Sequence, residues 1–133
     1  MWAIEKNPQH FQYLKKNLEL AESKLSKQNI KIESFKADYK KVWPIIQGHY
    51  DKLAADEKKR TVIFFDPPYE QHQNYEWIMD TFVRQWGKDF IGQLWIEAEE
   101  KKGPELSAWD TWPFGRIKKT FTHGGSYILL VKA

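Results

Sequence analysis

Thr61-Val62-Ile63-Phe64-Phe65-Asp66-Pro67-Pro68-Tyr69 is the stretch on which the fold of this chain turns. Val62 to Phe65 is a continuous apolar run without polar alternation, the pattern of a parallel strand covered on both faces. Pro67 and Pro68 lack the N–H groups that a ladder needs, so the strand must end before them. An acid therefore stands at the carboxyl end of an apolar strand, and the flanking sequence has to supply the rest of a sheet.

Downstream, a helix is predicted from Asn74 to Trp86, with Ile78, Phe82 and Trp86 inward and Gly87 as its stop. Ile91 to Glu97 reads as a strand, Lys101 to Gly115 as an irregular loop. Ile117–Thr122 and Tyr127–Lys132 read as strands joined across Gly124-Gly125, which fits a hairpin. Upstream, Trp2-Ala3-Ile4 is a strand ending at Glu5-Lys6, and Asn7-Pro8 opens a helix, with Asn as cap and Pro at the first helical position. Phe11, Leu14, Leu18, Ala21 and Leu25 carry one apolar stripe to about Lys27. Ile30 to Phe35 reads as a second strand, ending near Ala37-Asp38. Between Tyr39 and Arg60, Pro44 and Gly48 interrupt a helical spacing; one short helix followed by a polar, partly mobile stretch is expected. Strands alternating with helices and closing on a hairpin predict an α/β fold, with a mostly parallel sheet and a C-terminal antiparallel pair. Residues 1–133 are expected to form a single domain.

Composition narrows the function classes. With 41% hydrophobic and 29% charged residues the chain is globular rather than disordered. The absence of Cys removes disulfides, thiolate-bound zinc and thiol catalysis, and the four His show no metal-ligand spacing, so no metal is expected. No stretch is long and apolar enough for a membrane span and no secretory signal opens the chain, which makes a cytoplasmic protein the expectation. A net charge of +3 permits a nucleic-acid partner without requiring one.

In open α/β sheets ligands bind beyond the carboxyl ends of the strands, which here singles out Glu5, Asp38, Asp66 to Tyr69, and Glu97. Asp-Pro-Pro-Tyr suits a particular chemistry. The exocyclic amine of a nucleobase is a poor nucleophile because its lone pair is delocalised into the ring. The Asp66 carboxylate and the Pro67 carbonyl can accept its hydrogens and let the nitrogen rehybridise toward an electrophilic methyl group. The prolines stiffen the backbone and remove competing donors, and Tyr69 can stack on an unpaired base. The plainer alternative is a Pro-Pro turn with Tyr69 as packing. Such a tetrapeptide arises by chance in roughly one in two hundred chains of this length, which favours the functional reading. Glu5 can take ribose hydroxyls or stand exposed at a helix start. Asp38 can accept from an adenine amine or cap the following helix. Glu97 reads as a solvated strand end, His123 as a hairpin residue, the paired lysines as solvated, and Trp109 and Trp112 as core more than as stacking platforms.

Taken together, Ala3-Ile4-Glu5-Lys6-Asn7, Lys16-Asn17-Leu18, Phe64-Phe65-Asp66-Pro67-Pro68-Tyr69, Trp95-Ile96-Glu97 and Gly124-Gly125-Ser126-Tyr127 resemble the RsmD-like family of small-subunit ribosomal RNA guanine-N2 methyltransferases. The resemblance implies a Rossmann-like class I methyltransferase sheet, S-adenosyl-L-methionine as cofactor, and small-subunit ribosomal RNA or the assembling small subunit as partner. It implies Asp66, Pro67, Pro68 and Tyr69 as catalytic residues, and Glu5, Asp38 and Asp66 as donor-binding ones. The family's first strand, Gly-rich donor loop and helix would fall before Met1, so a truncated domain with doubtful activity is the expectation, its two inner sheet edges unpaired. The alternatives are an adenine-N6 methyltransferase on DNA or RNA, and a catalytically dead remnant that binds RNA or a partner.

Overall fold

The computed structural model describes residues 1–25, 28, 31–68, 70–81, 86, 89–104 and 116–132. Tyr69, Phe82, Gly87, Trp109 and Trp112 lie outside the described residues. The architecture is mixed α/β, and the chain divides into two compact units, Met1–Lys52 and Leu53–Ala133.

The first unit contains β1 (Trp2–Glu5), α1 (Pro8–Leu25), β2 (Glu33–Lys36) and α2 (Tyr39–Asp51). β1 and β2 pair in parallel, from Trp2↔Glu33 to Glu5↔Lys36. Asn7 caps α1 as its sequence suggests: its side-chain oxygen accepts from the backbone N–H groups of Gln9 at 2.9 Å and His10 at 3.2 Å. Along α1, Phe11, Leu14, Leu18, Ala21 and Leu25 are half-buried and every other position is exposed, so the apolar stripe is the helix's inner face. Trp2 anchors the unit, meeting the Phe35 ring edge-on at 5.6 Å and the His49 ring of α2 at 4.8 Å.

α2 departs from the expected short helix. It runs for 13 residues, through both Pro44 and Gly48. Pro44 is exposed and forfeits one helical hydrogen bond, whereas Val42, Trp43 and Tyr50 are buried on the same helix. Burial of those three side chains outweighs the local cost of the proline.

The second unit contains α3 (Ala55–Arg60), β3 (Val62–Phe65), α4 (His72–Thr81), β4 (Gln93–Glu99), β5 (Arg116–His123) and β6 (Ser126–Lys132). α3 forms where a mobile polar stretch was expected. The Glu57 carboxylate accepts from the Ala54 N–H at 2.9 Å, and Arg60 pairs with Asp56 one turn earlier at 2.8 Å. The sheet order is β3-β4-β6-β5; β3 and β4 are parallel, and β6 runs antiparallel to both β4 and β5. Two successive positive-φ residues, Gly124 (φ 58°) and Gly125 (φ 88°), make the tight β5–β6 turn.

β4 alternates strictly: Leu94, Ile96 and Ala98 are buried, while Gln93, Trp95, Glu97 and Glu99 are half-buried on the opposite face. Phe65, Tyr75, Ile78, Trp86, Phe90, Tyr127 and Leu129 are the other buried apolar side chains among the described residues of this unit. β3 does not have the expected cover on both faces, since Val62 and Phe64 are each 57% exposed. Its buried side is the one that carries Phe65. Among the described residues, no helix is long and apolar enough to cross a membrane.

Two glycines test how the units are held. Gly48 is an exposed interior helix position with open space around any added Cβ, so Gly48→Ala is expected to stabilise by about 0.5–1 kcal/mol. At Gly92 an added Cβ would stand 2.5 Å from the Thr61 carbonyl oxygen, a backbone atom that cannot swing away. Gly92→Ala is therefore expected to destabilise by about 1–3 kcal/mol. Urea denaturation followed by tryptophan fluorescence reads both, and equal midpoints for the two variants would contradict this account.

Candidate active site

The carboxyl ends of the parallel strands carry the polar groups singled out in the sequence, and each unit arranges its own set. In the first unit, β1 ends at Glu5 and β2 runs out to Asp38. The Glu5 carboxylate accepts from the Asn7 N–H at 2.7 Å, which turns the chain from strand into helix. Asp38 caps α2: one carboxylate oxygen accepts from the Lys40 N–H at 3.0 Å, and the other pairs with the Lys6 ammonium at 3.5 Å. The Lys40 N–H, aided by Lys6, holds the Asp38 carboxyl below its ordinary range against a smaller opposing effect of burial. Beside it, Tyr39 is half-buried, and desolvation followed by the Asp38 charge pushes its phenol strongly upward. Lys6 and Tyr39 were not singled out in the sequence; they join Asp38 through strand pairing and helix entry.

These carboxylates can also accept from hydroxyl or amine groups of a ligand. Each has two oxygens and about four lone-pair sites, so one bond to a backbone N–H leaves acceptor capacity. Glu5 and Asp38 thus both shape their helix starts and remain able to accept from a ligand.

In the second unit, Asp66-Pro67-Pro68 follows β3 directly. Pro67 is buried, and the Pro68 carbonyl accepts from the Gln71 N–H at 3.0 Å, closing the turn that leads into α4. Gln71 in turn accepts from the Asn74 side chain at 2.9 Å. Among the described residues, neither the Asp66 carboxylate nor the Pro67 carbonyl is engaged in a hydrogen bond.

Glu97 is placed otherwise than as a solvated strand end. The β3–β4 register pairs Phe65 with Ile96, and one step further along lie Asp66 and Glu97. Tyr75 of α4 secures both strand ends: its ring meets Phe65 edge-on at 6.3 Å, and its hydroxyl donates to the Glu97 carbonyl at 3.0 Å. Although Asp66 is solvent-accessible as a residue, partial desolvation of its carboxyl, and then the Glu97 charge, raise its pKa.

Lys102 reaches Glu70 at 3.7 Å and Glu99 at 3.9 Å, while the His72 ring lies 3.0 Å from the Lys102 carbonyl oxygen, tying the loop after β4 to the start of α4. At the same end of the sheet, the β5–β6 turn and Glu100 border a shallow concavity of about 360 Å³ that includes Thr122, His123 and Ser126. Its position beside Glu99 follows from the register Glu99↔Ser126↔His123. Among the described residues no group of His, Asp or Glu could hold a metal ion.

The opposite surroundings of Asp38 and Asp66 give a test of their duties. A carboxyl held low in the folded chain stabilises above its unfolded pKa, and that stabilisation disappears as pH falls through its folded pKa. Asp38→Ala is therefore expected to cost about 1 kcal/mol at neutral pH, with the difference shrinking in acid. Thermal melts across a pH series measure this; a pH-independent difference would mean that packing, not the cap, is lost.

No curated protein sequence matches the chain significantly. The model of a family described as conserved hypothetical protein 95 matches residues 1–120. With most of its length covered, and with an acid and two prolines closing the parallel strand β3, the chain belongs to this RsmD/RsmC-like methyltransferase family, in which S-adenosylmethionine is the typical methyl donor.

Proposed function

We propose that this chain serves a cytoplasmic enzyme that methylates the exocyclic N2 amine of a guanine in small-subunit ribosomal RNA. The observation that carries this reading is the strand end Asp66-Pro67-Pro68, whose carboxylate and Pro67 carbonyl have no hydrogen bond among the described residues. An amine offers two hydrogens, and two fixed acceptors at one strand end match that demand. Taking up both hydrogens localises the nitrogen lone pair and aims it. Because the buried Pro67 and the Pro68–Gln71 turn hold the backbone, the acceptors need little reorganisation during reaction.

S-adenosylmethionine supplies a methyl group on a sulfonium, an electrophile that requires no strong base. Glu5 is assigned to its ribose hydroxyls and Asp38 to its adenine amine. Tyr69 is assigned to stacking on the target base, which leaves its helix or comes from a single strand. Asp66 accepts most strongly when ionised, and its carboxyl is raised by desolvation and by Glu97. Transfer is thus expected to rise with pH through a limb above the usual carboxylate range.

Tritiated donor with unmodified small-subunit ribosomal RNA, assembled small-subunit particles and DNA tests the substrate. Asp66→Ala is expected to lower the transfer rate by about 100-fold or more while donor affinity, measured by calorimetry, changes little. A variant with a near-normal rate would remove Asp66 from the chemistry. Undetectable donor binding by the intact chain would favour an RNA- or partner-binding role instead, and preferential labelling of adenine would favour N6 methylation.

A further inference from the structure

The amine acceptors of the proposed site, the Asp66 carboxylate and the Pro67 carbonyl, stand just past Phe65, the last residue of β3 in register with β4. The chain leaves the ladder there and reaches α4 only at His72. The buried Pro67 fixes the upstream end, and the Gln71 N–H donates to the Pro68 carbonyl at 3.0 Å. One internal bond closes a turn but does not fix it against its surroundings. Acceptors that take both hydrogens of one amine need fixed positions.

A reciprocal contact with residue 102 supplies the missing support. The Lys102 ammonium lies 3.7 Å from the Glu70 carboxylate, and the Lys102 carbonyl oxygen lies 3.0 Å from Nε2 of His72. A carbonyl oxygen only accepts, so Nε2 carries the proton and donates. Residue 102 is itself anchored to the end of β4. Its N–H and that of the buried Gly103 donate to the Glu99 carbonyl at 3.2 and 2.6 Å, and the Tyr127 hydroxyl of β6 donates to the Pro104 carbonyl. The Glu99 carboxylate also lies 3.9 Å from the Lys102 ammonium, which places one cation between two acids. Tyr75 holds α4 one turn further on through the Glu97 carbonyl, so the contact with residue 102 governs the residues before it.

We propose that Lys102 and His72 are positioning residues, clasping the turn between Pro67 and α4 to the end of β4 and so fixing the Asp66 and Pro67 acceptors for a base amine. The inference rests on the amine-acceptor reading above and adds the residues that hold the acceptors in place. Neither residue touches the reacting atoms. The two halves of the clasp differ in kind. The Lys102 ion pairs are exposed, weak singly and screened by salt. The His72 bond runs to a backbone carbonyl and does not depend on salt in this way.

Amide exchange followed by NMR on the full chain reads the clasp without requiring activity. Lys102→Met is expected to speed exchange of the Gln71 N–H about 2- to 5-fold at low salt and to match the wild type at high salt. Lys102→Arg keeps the charge and is expected to restore protection. His72→Phe is expected to speed the same amide about 3- to 10-fold at either salt. The β4 amides should be unchanged throughout, which checks that the fold is kept. Positioning is read separately, by fluorescence anisotropy with short single-stranded RNAs carrying one guanine or one inosine, the same base without the amine. The wild-type chain is expected to bind guanine RNA about 10-fold more tightly. In the Lys102→Met, His72→Phe double variant that ratio is expected to fall to about 2-fold through weaker guanine binding alone. Unchanged Gln71 exchange in the double variant would overturn the clasp. Faster exchange with an unchanged ratio would make the clasp purely structural and overturn the positioning role. A wild-type chain without a preference for guanine would overturn the acceptor reading and the positioning role together, while the exchange rates would still decide whether the clasp exists.

Discussion

The parallel ladder between β3 and β4 is the constraint on which the second unit depends. Its register brings Phe65 beside Ile96 and sends their side chains into the core. The start of the ladder is pinned where Gln93 donates to the Thr61 carbonyl at 2.9 Å, an approach that Gly92 permits by having no Cβ. Its far end is pinned by Tyr75. A slip of one residue would turn every β4 side chain to the opposite face, exposing Leu94, Ile96 and Ala98 and burying Glu97. The burial that fixes the register is therefore also what fixes the position of the carboxylates.

Much of this fold was legible because local chemistry and tertiary packing agree. Asn7-Pro8 announces α1, and its five-residue apolar stripe is its half-buried face in the structure. Gly124-Gly125 announces the hairpin because a two-residue turn there needs positive φ at both positions. Legibility failed where the two levels disagree. Pro44 and Gly48 are poor helix residues by any local measure, yet α2 runs through them because Val42, Trp43 and Tyr50 are buried along it. α3 was missed for the opposite reason. It has no apolar stripe, and the contacts visible along it are polar: the Glu57 bond to the Ala54 N–H and the Asp56–Arg60 pair. Periodicity is blind to such a helix.

The candidate site divides along the same line. Asp66-Pro67-Pro68 could be read as a functional strand end because its residues are adjacent and chemically unusual together. The place of Glu97 beside Asp66 could not be read, since an acid in an alternating strand is ordinary until the neighbouring strand is known. Lys6 and Asp38 are likewise separated by 32 positions and meet only through the β1–β2 pairing. A sequence shows which strand ends bear acids; only the strand order shows which acids share an end.

Asp38 and Asp66 show how the surroundings assign labour to one residue type. Both follow strands and both precede helices. Asp38 is met by the Lys40 N–H and the Lys6 ammonium, which favour its charge, so ionisation strengthens the fold. Asp66 is met by partial desolvation and a second carboxylate, which oppose its charge. Hydrogen-bond donors on a ligand would favour that charge, in keeping with the acceptor role proposed for Asp66.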